Sequence, residues 1–421
     1  VIKRLSAAAL YAAAFLLQYQ RLCAPIFGYW GFGPVTDPRD YFYLIPLMAA
    51  PAVFMPDTIE KPSALLAFLN YTVLYVPLCV LIFHSTLSVI SVGDQWAIFS
   101  ALAASTVLLF APPRFAPLPL KKRAGNPGFI LALCWCLLAA LVLAVLAVNR
   151  VHLIGFKGIG AARSNYAQHV RVFGPLFGYL DAWCGLALIP FLFAERLEQR
   201  KIAACLVLAG LCVLLFLVSG RKTVLLSPLV VLGAYFALKR GWKPPTLLLV
   251  FSGLLLPPFL LGAFGLKGPR LLYLNVVNFR VFAVPQILVP QYYAYYLGHG
   301  FTRFRHINLV NRLFFHGAAF EQPWAAIARF YYHKTFTADA VFYATDGLAA
   351  MGILGIPCVT AVLILVFWVF DSLRSRHSKF LALPAMLPFL FSLFNNSLFT
   401  TLLSGGGFAL MLLFYLLGDT A

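Results

Sequence analysis

Arginine is the residue whose placement suggests chemistry in this chain. Arg163, Arg221, Arg270, Arg280 and Arg303 stand in segments between apolar runs, with few acids to balance them. A guanidinium presents a fork of N–H donors that matches phosphate oxygens two at a time. Arginines drawn from separate segments therefore suit a converging clamp on an anion, a diphosphate above all. The acids near them are Glu321, Asp339 and Asp346, with His333 close by. Any of these, held within hydrogen-bond reach, can take the proton of a hydroxyl as a general base. Asp339 and Asp346 share a face if both are helical. They suit equally well an ion pair with an arginine or a helix N-cap. Tyr292, Tyr293 and Tyr296 fall in a tyrosine-rich run; their rings can stack on a sugar or form an interfacial aromatic belt. His299, His306 and His316 lack the i, i+4 spacing of metal ligands, and no Cys-x-x-Cys pair occurs, so neither a metal nor a cofactor is expected.

The elements that must hold these groups are membrane helices. Of 421 residues, 62% are hydrophobic and 11% charged, against about 25% charged in a soluble domain. That composition excludes a soluble enzyme and a disordered chain. A crossing needs about 20 mostly apolar residues. On that basis one all-α transmembrane domain of about twelve spans is expected, at 5–25, 41–56, 63–83, 95–112, 128–148, 178–194, 202–218, 223–238, 246–266, 341–370, 380–401 and 405–418. The first run, after Lys3 and Arg4, lacks a small-residue cleavage site and reads as a span, not a signal peptide. Cys134 and Cys136 should point to different faces of their helix, and the cysteines in general read as small buried hydrophobes.

Charge sets the orientation. Arg114, Lys121, Lys122 and Arg123 follow the fourth span; Arg196, Arg200 and Lys201 the sixth; Lys239, Arg240 and Lys243 the eighth; Arg374, Arg376 and Lys379 the tenth. These short connections fall on one side together with Lys3, Arg4 and Lys61, which makes that side, and both termini, cytoplasmic. The two long connections, 149–177 and 267–340, then face outward, as periplasmic loops. The net charge of +19, from 32 Lys and Arg against 13 Asp and Glu, thus divides between cytoplasmic turns and external segments. Long loops cross whatever their charge, so a solvated basic surface is one reading. The excess of arginine, interleaved with aromatics, favours an anionic ligand at the outer leaflet, such as a pyrophosphate lipid head group. Nucleic acid also suits basic charge but is not expected on this face. Arg221 and Lys222 in the turn Ser219–Thr223 fit either an anion at a helix start or an interfacial anchor.

The segment Asn278-Phe279-Arg280-Val281-Phe282, followed by Pro285, Gln291–Tyr296, Thr337-Ala338-Asp339-Ala340 and Ala344-Thr345-Asp346-Gly347 through Gly352-Ile353-Leu354-Gly355, resembles the bacterial O-antigen polymerase (Wzy-type) family. The turn Ser219-Gly220-Arg221 is similar to one common there. The resemblance implies a GT-C-like glycosyltransferase of the bacterial inner membrane that polymerises oligosaccharide repeat units. Donor and acceptor would be glycans on undecaprenyl pyrophosphate, with membrane lipid and a chain-length regulator as further partners and no metal required. Asp339, Asp346 and His333 are then the candidate catalytic groups. Arg280, Arg221, Arg163, Arg270 and Arg303 are the candidate pyrophosphate ligands, and Tyr292, Tyr293 and Tyr296 the candidate sugar contacts. An O-antigen ligase, acting on a lipid A core, is the nearest competitor, although His333 is followed by Lys334 and not by the Asn or Ser usual in ligases. A lipid-linked sugar flippase is a competitor of another class; the spans are nearly free of charge and no internal repeat is visible, which speaks against it.

On this reading Arg280→Ala removes long-chain polymer while the protein still inserts in the membrane. A normal chain-length distribution in that variant overturns the role given to Arg280.

Overall fold

The computed structural model describes residues 1–120, 126–148, 166, 175–316, 321–334, 338–374 and 377–417. Among them the secondary structure is helical apart from one isolated bridge, Phe32 to Ser85. Nine helices are long and apolar enough to cross a membrane: Pro62–Leu81, Val92–Arg114, Pro127–Ala147, Phe177–Glu198, Ile202–Ser219, Lys222–Lys239, Pro244–Ala263, Tyr343–Arg374 and Leu398–Leu416. A tenth candidate is a helix pair, Lys267–Phe282 and Val284–His299, bent by 44°. Three further spans expected from the sequence are helical but shorter or more polar: 2–27, which carries Lys3, Arg4 and Arg21; 39–54; and Lys379–Leu393.

Pro62–Leu81 is the axis of the bundle. Ninety-four per cent of it is buried, against 22% of Pro127–Ala147 and of Pro244–Ala263. In lipid a helix buried on every side must meet its polar needs from its neighbours. It contains a wide π turn at Asn70–Tyr75, where i→i+4 bonding lapses. Tyr11 Oη donates to the Thr72 carbonyl at 2.6 Å and Gln286 Nε2 to the Val73 carbonyl at 2.7 Å. The polar residues of the core thus close the gaps that the wide turn opens.

Contacts sort the connections into two ends. Arg4 pairs with Asp57 at 3.4 Å, Lys61 Nζ donates to the Phe115 carbonyl, Lys379 pairs with Glu60, the Leu118 amide donates to Ser372, and His377 bonds the Phe414 carbonyl. Residues 3–4, 57–61, 115–118, 372–379 and 414 therefore share one basic end. At the other end Gly33 donates to the His84 carbonyl and Thr86 to that of Gly31. Tyr293 Oη reaches Asp94, and Trp183 reaches the Leu403 carbonyl.

The bent pair dips into the bundle and comes back. Near its bend Phe282 packs on Phe251 and Gln286 bonds Val73, midway along the central helix. On one arm Phe279 stacks on Phe27 at 4.0 Å and meets Trp30. On the other arm Gln291 reaches the Trp30 carbonyl. Both arms thus return to the far end. The stretch 267–299, expected as loop, is helical because its Leu, Val, Tyr and Phe residues find a packed partner there.

The long helix Tyr343–Arg374 changes direction at Gly352, whose φ is +61°. The chain folds so tightly that a Cβ on Gly355 would sit 2.0 Å from the Gly347 carbonyl oxygen. Only glycine permits that approach. Gly355→Ala is expected to cost at least ~2 kcal/mol, read as a lower melting temperature in detergent. Gly210→Ala, where an added Cβ meets nothing within 4 Å, should be neutral or stabilising.

Candidate functional site

Four segments meet at the far end: the loop 300–307, the second arm of the bent pair, the start of the long helix, and the start of the last helix at Ser397. Asp346 joins three of them. Its carboxylate is fully buried. It accepts from Ser397 Oγ at 2.7 Å, from the Leu398 amide at 2.5 Å and from Thr345 Oγ1 at 3.3 Å. Three donors meet the hydrogen-bonding needs of a carboxyl group that water does not reach. The fourth partner is His306, whose Nε2 faces Asp346 Oδ1 at 3.8 Å. That nitrogen is buried with no hydrogen-bond partner among the described residues. On the other side of the ring Nδ1 lies 2.7 Å from Thr302 Oγ1.

The loop carries the arginines. Thr302 and Arg303 donate their amides to the Ala349 and Ala350 carbonyls, at 2.8 and 3.1 Å, just after Asp346. Arg303 and Phe304 both have positive φ, +49° and +64°, a conformation that costs of order 1 kcal/mol per residue and persists only when neighbours enforce it. The result is a stiff loop that turns the Arg303 and Arg305 side chains outward, both exposed. Arg305 also lies 5.4 Å from the centre of the Phe315 ring.

Asp339 differs from Asp346 in each of these respects. It lies before the helix begins, in non-helical chain, so the two acids do not share a helical face. It is partly buried, and burial alone pushes its carboxyl up to about 6. Tyr292 ties it to the site: its hydroxyl donates to the carbonyl of the neighbouring Ala338 at 2.9 Å. A carboxylate poised near neutrality, with no salt-bridge partner among the described residues, has the property required of a general base.

Several sequence expectations need correction. Tyr292, Tyr293 and Tyr296 are buried; their rings pack inside the protein and offer no face to a sugar. Tyr293 instead bonds Asp94 at 2.9 Å. Arg221 forms an ion pair with the buried Asp181 at 2.6 Å and lies over the Tyr166 ring, so its charge answers an acid within the protein. Arg270 folds back on Gly262, with its Nε buried. His333 is the exposed cap of helix Pro323–Tyr332, at φ +51°. Arg280 is exposed just before the bend of the dipping pair, about 30 Å along the helices from Gly300 at 1.5 Å per residue. It therefore does not share a clamp with Arg303. Arg163 lies outside the described residues.

Sequence reasoning passed over His306, Ser397 and Asp181. For Asp181 there was a signal, an acid inside an apolar span. His306 lacks metal-ligand spacing and reads in the sequence as an ordinary loop residue. Ser397 comes to Asp346 from 51 residues away, and no local pattern marks that pairing.

Comparison with family models, curated proteins and solved structures finds no match to this chain.

The two carboxylates should separate in stability. Asp346→Ala strands a buried hydroxyl and a buried amide, and is expected to cost ~3 kcal/mol or more. For Asp339 the sign is opposite. The folded protein holds its proton more tightly than the unfolded chain does, so the fold gains stability as pH falls through about 6 and loses it above. Asp339→Asn should therefore stabilise at pH 8, by up to ~3 kcal/mol. The gain should vanish near pH 4 in thermal melts, and a destabilised Asp339→Asn at pH 8 contradicts the burial account.

Proposed function

We propose that the chain is a membrane glycosyltransferase that joins undecaprenyl-pyrophosphate-linked oligosaccharide repeat units into an O-antigen or related surface polysaccharide. The observations that carry the reading are a stiff, outward-facing arginine loop tied to Ala349 and Ala350 and a partly buried carboxylate, Asp339, just before the same helix, both at one end of the helical bundle. The nine apolar helices, with the runs at 2–27, 39–54 and Lys379–Leu393, support twelve crossings. An even number returns both termini to one face. The basic end then lies in the cytoplasm of a bacterial inner membrane and the arginine loop at the periplasmic face. A GT-C-like architecture is part of the same proposal.

In the reaction a sugar hydroxyl of the acceptor attacks the anomeric carbon of the donor. The bond from that carbon to the pyrophosphate oxygen breaks, and its electron pair leaves on the pyrophosphate. Asp339 takes the hydroxyl proton. Arg303 and Arg305 bind the leaving pyrophosphate as its charge grows, which is where preorganised donors have most effect. Asp346, with His306, Ser397 and Leu398, is a positioning group that fixes the loop to the start of the long helix. Arg280, at the dip of the bent pair, is a further exposed guanidinium, apart from the loop that carries Arg303 and Arg305.

Purified protein given lipid-linked repeat units alone should make a polymer ladder. Its rate should fall as pH drops through about 6, because a protonated Asp339 accepts no proton. Asp339→Asn and Arg303→Ala should each lower the rate ~100-fold or more in protein that still folds. A ladder from Asp339→Asn at the wild-type rate contradicts the assignment of the base. Product that appears only when a lipid A core is added favours the ligase.

A further inference from the structure

One turn beyond the buried tyrosines, aromatic rings turn outward. Tyr295 and His299 stack face to face, centroids 4.1 Å apart and planes within 12°. His299 Nδ1 lies 2.8 Å from the Tyr295 carbonyl, which fixes the imidazole over the phenol. Phe330, from helix Pro323–Tyr332, stands edge-on to both rings, at 5.2 and 5.5 Å with planes 71° and 79° apart. His299 is exposed and Phe330 is 50% exposed. Beside the rings Arg329 pairs with Glu321, both in solvent.

We propose that His299 and Phe330, rimmed by Glu321 and Arg329, form a sugar-binding subsite for the glycan part of the lipid-linked substrate. A pyranose has an apolar C–H face and a rim of hydroxyls. An exposed ring takes the face; a carboxylate and a guanidinium side by side take vicinal hydroxyls as acceptor and donors. A patch that met lipid acyl chains would not carry charged Glu321 and Arg329 at its edge. The core of a protein interface is likewise depleted in such charges. The location fits too. His299 follows Tyr292 by seven residues on one helix, about 10 Å, and Tyr292 bonds the carbonyl next to Asp339. A sugar on the rings therefore lies an oligosaccharide's length from the proposed base. This assignment replaces the buried tyrosines as the sugar contact, and it rests on the glycosyltransferase reading.

The test uses the full chain in nanodiscs and lipid-linked repeat units extracted from a strain that lacks this gene. Two quantities are measured: the apparent KM for the repeat unit, and the binding of sugar-free undecaprenyl pyrophosphate. His299→Ala with Phe330→Ala should raise KM about tenfold or more, with binding of the sugar-free lipid unchanged. His299→Tyr, which keeps a ring, should recover most of the loss. An unchanged KM overturns the subsite. Equal loss of both lipids also overturns it, since the rings would then serve as a membrane anchor. If the wild-type protein makes no polymer, the glycosyltransferase reading fails. The subsite is then judged by binding alone: tighter binding of the glycosylated than of the sugar-free lipid, lost in the double variant, retains it, and equal binding rejects it.

Discussion

A buried carboxylate holds the far end of this protein together. Asp346 sits at the start of the longest helix with no exposure to solvent, and it survives there because three donors and a histidine face it. Two of these partners, Ser397 and Leu398, come from the start of the last helix. The Leu398 amide is one of the orphan donors of a helix start, and Asp346 caps it across 52 residues of sequence. The same helix repeats the device at its other end. Asp371 accepts from the Ser63 amide at 2.9 Å and the Ser63 hydroxyl at 2.5 Å, and so caps the central helix. One long helix thus clamps two others, one at each end of the bundle, through carboxyl hydrogen bonds that the low dielectric of the interior strengthens.

The membrane imposes that solution. Apolar packing gives little preference for one helix neighbour over another when lipid is equally apolar. Specificity must come from polar groups that cannot stay unpaired. Wide π turns, broken helices and a dipping helix pair all expose carbonyls. Tyr11, Gln286 and Tyr292 each cover one. The tyrosines that look like ligand contacts in sequence are needed for this internal work. The rings that remain for a ligand are His299 and Phe330, which are exposed.

The coarse architecture was legible in the sequence, since twenty-residue apolar runs and basic turns are local signals. Cys134 is buried and Cys136 exposed, as the helical period requires. The helical nature of 267–299 was not legible. Its hydropathy is interrupted by Lys267, Arg270, Asn275, Asn278 and Arg280, and its stability comes from contacts with the central helix and with Trp30. Of the candidate site, Asp339, Asp346 and Arg303 were visible by type and position. Which carboxylate is a clamp and which is free to titrate depends on burial and on Ser397, and neither can be read from spacing. The arginines were over-counted because their internal partners, such as Asp181, lie in other elements.

Under the proposed function this end of the bundle makes glycosidic bonds at the expense of a lipid pyrophosphate. Quantifying free undecaprenyl pyrophosphate against new glycosidic linkages tests it most directly, with purified protein and lipid-linked repeat units and no other component. One undecaprenyl pyrophosphate is expected to be released for each linkage formed. Intact glycolipid moved across a vesicle membrane with no pyrophosphate lipid released would contradict it.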